Sequence, residues 1–443
     1  MIFEGKENTT EMKKLFAIIA AGIMIICLAG CAKGKEHTAA EPESARSVEK
    51  AELVLAGYDI SDTLKAGIAA YNASSETGHI TVKDYCAGGV EQEAALLKLN
   101  TEMISGEYPD MICFSVISPL TLIRKGLLED MAPYFDKDDQ ISREDLVIEK
   151  ALEENGGIYY ISNLFNVGTL MGKKSDFGSR YGWTVEEYLE MEKSLLPEQQ
   201  MLYNMTRKVF IQDIILHYAT DAIDWETGTC NFETEDFCTL IDAAARIRET
   251  PEGSNPQYFQ AAEEVASGRM KTASAYIVNI WETVKQKRLA GCDLSFIGWP
   301  SAKGTCGAEA WLLDPIGILS TGSNKAECWE FLKYIIQNRF PEVTEEMPAY
   351  ASYGLQMYEP ELRREYEEAI QDSDYPVPLT EADMEEFFSM LHAIERTVIS
   401  DENVDGIISN EIENGIAAGR TSAATAAVIQ SKISIYLAEQ SDR

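Results

Sequence analysis

Histidine is scarce in this chain: four residues, His37, His79, His217 and His392, are scattered over 443 positions. No HExxH pair occurs, and GxSxG, the P-loop and GxGxxG are also absent. The local signatures of zinc peptidases, serine hydrolases, nucleotide hydrolases and dinucleotide enzymes are therefore missing. Basic residues are few: 38 Lys and Arg stand against 73 Asp and Glu, for a net charge of −35. Such a surface stays in solution and repels nucleic acid and anionic headgroups. It excludes a nucleic-acid partner without naming a ligand. No CxxC spacing occurs among the nine cysteines. The acidic run Asp136, Asp138, Asp139, Glu144, Asp145 lacks the sixth-position glycine of an EF-hand loop, so it reads as a solvated loop and not a calcium site. No metal and no cofactor is expected.

Long apolar runs are absent with one exception, Leu15 to Leu28. It is too short for a spanning helix, which needs ~20 residues. It follows Lys13-Lys14 and ends in small residues, the layout of a secretory signal peptide. Glu4, Glu7 and Glu11 do not suit a basic leader, so Met12 reads as the true start. The stretch Leu28-Ala29-Gly30-Cys31 resembles the lipobox of bacterial lipoproteins. That resemblance implies cleavage before Cys31 and a lipid (diacylglyceryl, with palmitate-type acylation) on its thiol. It also implies an extracellular location, anchored to the cell membrane through Cys31. The plainer alternative is an ordinary signal peptide with an incidental cysteine.

With Cys27 removed and Cys31 lipidated, seven cysteines remain: 86, 113, 230, 238, 292, 306 and 328. An odd number cannot all pair. They read as small buried hydrophobes, and a single bridge between Cys86 and Cys113 is compatible with their predicted neighbouring strands.

The composition is that of an ordinary globular protein, 45% hydrophobic and 25% charged, and the chain is long enough for two lobes. Residues 32–50 are small, polar and charged, and read as a tether of roughly 60 Å reach. The folded part begins with alternating periods. Glu52–Ala56, His79–Tyr85 and Met111–Phe114 read as strands. Asp62–Tyr71 and Glu91–Ile104 read as helices. This order implies βαβ units and a parallel sheet. Farther on, Thr184 and Glu187 form a capping box, Val209–Tyr218 suits a buried helix, and Ala273–Val278, Leu294–Ile297 and Ile316–Leu319 read as strands. Asn324 is a predicted cap for a helix carrying Cys328, Phe331, Leu332, Ile335 and Ile336 on one face. From Pro360 onward the pattern is helical. There are no internal repeats.

Several stretches together resemble the extracellular solute-binding proteins of ABC importers, family 1, the group that includes maltose-binding protein. They are residues 98–110 (KLNTEMISGEYPD), 125–133 (KGLLEDMAP), 157–170 (GIYYISNLFNVGTL), 273–281 (ASAYIVNIW), 297–300 (IGWP), 315–334 (PIGILSTGSNKAECWEFLKY) and 429–440 (IQSKISIYLAEQ). One departure is Ile161-Ser162-Asn163, where the family often has a proline after the Tyr. The resemblance implies an α/β fold, two-lobed and periplasmic-binding-protein-like (type II), with two α/β lobes joined by crossover strands. Expected boundaries are 1–30 signal peptide, 31–50 lipidated tether, 51–163 plus 301–345 lobe one, and 164–300 plus 346–443 lobe two. The implied function is non-enzymatic. A solute, a sugar or oligosaccharide, is captured between the lobes and delivered to ABC permease subunits, with the chain acting as a monomer.

A sugar offers apolar C–H faces and many hydroxyls, so its site calls for aromatic platforms edged by polar groups. Trp281, after a predicted strand end, is the first candidate, with a lobe-two core tryptophan as the alternative. Tyr58 and Asp59 follow the first strand. Phe114, Ser115 and Ser118 follow the third, the serines being the better candidates. Tyr85 ends the second strand and is equally well read as core. Asn163 and Asn166 lie in the first crossing, where a ligand or the hinge would satisfy them. Trp299 suits hinge packing and Trp329 the core. Trp311 lies in a loop without a clear match. A lipid-anchored, glycan-acting enzyme with two carboxylates, or a binding protein for a peptide or polyamine, are the competing readings.

Overall fold

The computed structural model describes residues 50–441 apart from 115–117, 155, 203–205, 226, 248–260, 341–353, 374, 376 and 399–400. The signal peptide, Cys31, the tether up to its last residue, and Ser115 lie outside the described residues.

The first elements are β1 (Ala51–Gly57), α1 (Asp62–Ser74), β2 (Gly78–Asp84), α2 (Gln92–Ile104) and β3 (Met111–Cys113). Ser61 opens α1 by accepting the Leu64 amide N–H at 3.1 Å, which satisfies one otherwise unpaired donor of the first turn. Leu64, Ile68 and Tyr71 point inward from α1, the spacing that buries one helical stripe. β1 lies parallel to both β2 and β3, with Leu53 opposite Ile80 and Leu55 opposite Met111.

The second half supplies β4 (Leu164–Lys173), α3 (Val185–Lys193), β5 (Gln200–Leu202), β6 (Met270–Ile277), α4 (Glu282–Ala290), β7 (Leu294–Phe296) and β8 (Glu309–Leu313). After these come β9 (Ile316–Ile318), α5 (Lys325–Gln337), β10 (Leu355–Gln356), α6 (Glu402–Ala417) and α7 (Ser422–Ser441). The capping box at Thr184 forms: its hydroxyl accepts the Glu187 N–H at 3.1 Å, and the Glu187 carboxylate accepts the Thr184 N–H at 2.8 Å. Asn324 precedes α5 without a side-chain cap bond. Its amide instead donates to Asp110 at 3.4 Å.

Two sheets result. The first has the order β9-β3-β1-β2, with β9 antiparallel to β3. It is therefore mixed, because its edge strand comes from a later part of the chain than the βαβ units. In the second sheet β4 is central. β7 and β8 pair along one edge, β6 and β10 along the other, all antiparallel to it. β5 adds to β6 in parallel.

The crossovers between sheets run side by side. Ile161 and Ile316 exchange N–H···O bonds of 3.0 and 2.8 Å, and the buried Ser162 hydroxyl donates to the Leu313 carbonyl. The return expected at residues 297–300 is not a crossover. β8 still pairs with β4, and the chain changes sheets only at Asp314-Pro315. The Ile-Gly-Trp-Pro stretch is instead held by a close strand approach: the Trp299 N–H donates to Gly307 O at 3.0 Å. A Cβ on Gly307 would fall 1.8 Å from the Trp299 carbonyl oxygen. The expected 345/346 boundary falls outside the described residues.

Alternate residues of β4 serve different cores, as strand geometry requires. Phe165, Val167 and Met171 join a core continuous with the first sheet. Leu170 joins a second core with Trp183, Phe210, Phe237, Trp299, Ile408 and Ile433 under the helical part of lobe two. None of the seven described cysteines is in a disulfide, the 86/113 pair included. Among the described residues no helix is long and apolar enough to cross a membrane.

Candidate functional site

One face of β4 carries Asn166 and Gly168 close to the crossover. Trp311 of β8 lies opposite Asn166, and Glu309 opposite Gly168. Tyr276 of β6 flanks Gly168 from the other edge. Glu309, Gly168 and Tyr276 thus form one row across three strands. A Cβ on Gly168 would sit 2.9 Å from Trp311 Nε1, so the indole lies over the glycine. Trp311 is 45% and Tyr276 46% exposed, high values for large rings in a concave surface.

Gly168, Tyr276, Glu309 and Trp311 floor a cavity of about 410 Å³ in lobe two. One wall is the helical run Arg207–Phe210, Ile211–Ile215 and Leu216–Thr220, whose middle portion is a π-helical turn. That turn carries Asp213, and His217 follows it, both lining the cavity. Arg396 and the start of α6 form the facing wall, with Trp225 and Trp299 adding aromatic surface.

The charges are partly tied to one another. His217 Nε2 is 2.6 Å from one Glu309 carboxylate oxygen, and Arg396 Nε is 3.2 Å from the other. Burial pushes the Glu309 carboxyl up, but His217 and then Arg396 outweigh it and hold it below the usual carboxylate range. The Arg396–Glu309 pair is close but poorly aimed, so Arg396 Nε and Nη2 are buried without a hydrogen bond, as is His217 Nδ1. The His217 ring also lies 4.8 Å from that of Trp299. Asp213 behaves oppositely to Glu309. Burial raises its carboxyl, His217 pulls it down, and Glu309 pushes it up, for a net rise. Burial, with Asp213 and Glu309 nearby, likewise raises the Tyr276 hydroxyl.

Of the residues singled out by sequence, Asn166 pairs opposite Trp311 in the sheet, outside the cavity lining, with its Oδ1 buried and without a hydrogen bond. Trp281 lies outside the cavity lining, at the start of α4. Its ring faces Lys285 Nζ at 4.9 Å, and its Nε1 is buried and unpaired. Ser118 Oγ in lobe one is also buried and unpaired. Asn163 is engaged at the hinge: it accepts Gln356 Nε2 at 2.7 Å and donates to Asn338 O at 3.2 Å. The Tyr85 hydroxyl donates to Glu102 of α2, and Lys83 and Lys98 lie 5.3 and 5.6 Å from its ring. Tyr58 packs half-buried on the first core. Asp59 is exposed at the carboxyl end of β1, at φ 54°. Trp329 is core, and its Nε1 donates to Asp138 at 2.9 Å. Lys333 holds the same Asp138 oxygen at 2.9 Å, and Arg143 lies 3.2 Å from Asp136, so these two acids of the run 136–145 serve the fold. Among the described residues no cluster of three or more His, Cys, Asp or Glu is arranged for a metal.

The cavity residues that sequence reasoning missed are Asp213, His217, Tyr276, Glu309 and Arg396. The nearest available signal was the short apolar run Ala310–Leu313, which marks Trp311 as a strand residue. A second cavity of about 420 Å³ lies at the hinge, lined chiefly by Leu64, Ile161, Leu313, Ile335 and Phe340. Its lining also includes Ser61, Thr63, Ser162, Asn163 and Asp314, but it lacks the exposed indole and phenol faces of the lobe-two cavity, which is the better candidate for a sugar.

No family model matches this sequence, and no curated protein does. Solved structures do match its fold. The sugar-binding protein MalE from Xanthomonas citri superposes with TM-score 0.53 at 14% identity, over 87% of this chain and 98% of its own. An extracellular solute-binding protein family 1 from Alicyclobacillus acidocaldarius gives 0.51 at 12% identity, over 88% and 98%. A family 1 extracellular solute-binding protein from Bifidobacterium longum subsp. infantis gives 0.50 at 15% identity, over 86% and 98%. The fold is that of the two-lobed solute-binding proteins, with two α/β lobes joined by crossover strands.

Proposed function

We propose that this chain is the solute-capturing lipoprotein of an ABC importer and that its solute is a sugar or oligosaccharide. The observation that carries the reading is the lobe-two cavity. Exposed indole and phenol faces of Trp311 and Tyr276 lie in the same lining as His217 and Arg396, whose Nδ1 and Nη2 are buried without a hydrogen bond. A sugar supplies what both sets lack, C–H faces for the rings and hydroxyls for the polar atoms. Paired crossover strands suit hinge closure, in which a ligand bridging both lobes favours the closed form. Delivery to permease subunits follows from that closed form. A lipid on Cys31 would hold the receptor at the outer face of the membrane, near its importer.

A second reading, a glycan-acting enzyme, has one observation behind it: Asp213 is shifted up and Glu309 down, as in acid and nucleophile pairs. It is the weaker one, because His217 and Arg396 occupy both Glu309 oxygens. Calorimetric titration with a panel of malto-, cello- and chito-oligosaccharides tests the proposal. Binding without turnover supports capture. Release of shorter sugars from the same mixtures refutes it in favour of the enzyme, and absence of any sugar binding refutes the carbohydrate assignment.

A further inference from the structure

Asp213 occupies an unusual position. It sits in the middle of the π-helical turn Ile211–Ile215. Turns of this kind inside helices are uncommon and recur at functional sites. Here the turn presents a carboxylate to the cavity, near enough to His217 to feel its charge but without an ion pair to it. Among the described residues, Asp213 takes no hydrogen bond and no ion pair. The other charged lining groups are already engaged. Glu309 is held between His217 and Arg396. Asp401 caps α6 through the Asn403 and Val404 amides at 3.0 and 3.3 Å, and it accepts the Tyr436 hydroxyl at 2.7 Å. Asp405 is also engaged. The Arg396 guanidinium is shared between Glu309 at 3.2 Å and Asp221 at 3.9 Å, while the Asp213 carboxylate has no ion pair among the described residues, in a cavity walled by Trp225, Tyr276, Trp299 and Trp311.

An unpaired carboxylate amid aromatic faces is complementary to a cation. The rings attract positive charge through their quadrupoles, and the carboxylate supplies a charge-assisted hydrogen bond. Leaving Asp213 half-buried and unpaired disfavours its charged form, as the upward shift of its carboxyl reflects. An incoming ammonium relieves that. The net charge of −35 adds long-range attraction for such a solute.

We infer that the lobe-two cavity recognises a solute bearing a protonated amine, such as an amino sugar, and that Asp213 is the group that receives it. This rests on the reading of the cavity as the solute site and narrows the class of solute.

The test is calorimetric titration of the full chain at low salt with four probes. These are a β-1,4-linked glucosamine trimer, its N-acetylated form, the neutral glucose trimer cellotriose, and spermidine. The glucosamine trimer is expected to bind at least about tenfold more tightly than both other trimers, with the advantage shrinking as salt rises. Asp213→Asn is expected to abolish that advantage, bringing the glucosamine trimer to the affinity that the variant shows for the neutral trimers. Its far-ultraviolet circular dichroism and thermal midpoint report that it is folded. Neutral trimers binding as well as the amine would overturn the inference and leave carbohydrate capture standing. An amine preference that survives Asp213→Asn would overturn the role of Asp213. Spermidine binding without any trimer binding would uphold amine recognition and overturn the carbohydrate assignment. No binding by any of the four would overturn both.

Discussion

Replacing Glu309 with alanine probes the physics that builds the cavity wall. Glu309 is 6% exposed and accepts from His217 on one oxygen while pairing with Arg396 on the other. Arg396 is always charged, so truncation leaves a buried guanidinium whose Nε and Nη2 already lack hydrogen bonds. Removing one partner of a buried pair costs roughly 3–5 kcal/mol. The Arg396 and His217 side chains keep 17% and 13% exposure, which lets some water in and places the cost near the lower end, about 3 kcal/mol. For a unit of lobe size a shift of ~2–4 °C per kcal/mol is ordinary, so the midpoint of lobe two should fall by about 6–12 °C. If the two lobes melt as one, the drop is roughly half that. Differential scanning calorimetry reads the shift. The pH dependence follows from the lowered carboxyl. A depressed folded value contributes stability that is present above the unfolded carboxylate value, about 4.3, and is lost as pH falls through the folded one. The deficit of Glu309→Ala should therefore persist from neutral pH down to about pH 5 and shrink below about pH 4. Replacing Glu309 and Arg396 together with methionine should recover most of the loss, because the uncompensated charge goes with its partner. A midpoint for Glu309→Ala within about 1 °C of the native protein at pH 7 would falsify the view that this pair is a buried structural unit.

Other outcomes rest on the same geometry. Trp311→Ala should change stability by less than about 0.5 kcal/mol, because the ring is 45% exposed. It should weaken sugar binding by about 30-fold or more in calorimetry, as loss of an aromatic anchor does, and an affinity within twofold of native would remove Trp311 from the site. Gly168→Ala should leave the melting curve nearly unchanged but reduce affinity, since its Cβ meets the indole at 2.9 Å and displaces the ring; unchanged affinity would mean the ring position is immaterial. Gln356→Leu strands the Asn163 side-chain oxygen and the Ile336 carbonyl, which accept the Gln356 amide at 2.7 and 2.8 Å. A loss of about 2 kcal/mol in urea unfolding is expected, and a loss under about 0.5 kcal/mol would refute the hinge role. Asp213→Asn should raise the thermal midpoint at pH 7. A carboxyl raised by folding is destabilising when charged, and the penalty fades as pH falls through its folded value. The gap between variant and native should accordingly close toward acid, and a native protein more stable than the variant at pH 7 would contradict it.

Much of the fold is legible in the sequence because it rests on local periodicity. The strands and helices from Ala51 to Cys113 and the capping box at Thr184 come from patterns a few residues long. So does the buried helical run around Phe210. The π-helical turn within that run is not legible, since it breaks the helical period by a single residue. Nor is β8. Its five residues offer too short an alternation to stand out, and the return crossover is consequently expected about a dozen residues early, at the Ile-Gly-Trp-Pro stretch. The candidate site is less legible than the fold. Asn166 and Trp311 each stand out as residue types, but nothing local says that register sets them opposite one another. His217, Glu309 and Arg396 are separated by long stretches of chain, and their charges compensate only through space. Trp281 stands out through resemblance and its place after a strand end, and its ring lies by Lys285, outside the cavity lining.

By itself the sequence determined the class of architecture, the acidic surface, and an expectation of an exported, lipid-held chain whose recognition chemistry lies far from Cys31. Those properties are sums or short-range patterns, and a linear chain displays them directly. The tertiary structure alone decided which of many aromatic and acidic residues share a cavity. It also decided where the chain recrosses between lobes and which carboxylate is left without a partner. These depend on strand register and on charges brought together across long separations. A shift of one residue in β8 would turn Trp311 away from Gly168 and Glu309 away from His217, and the composition of the chain would not change at all.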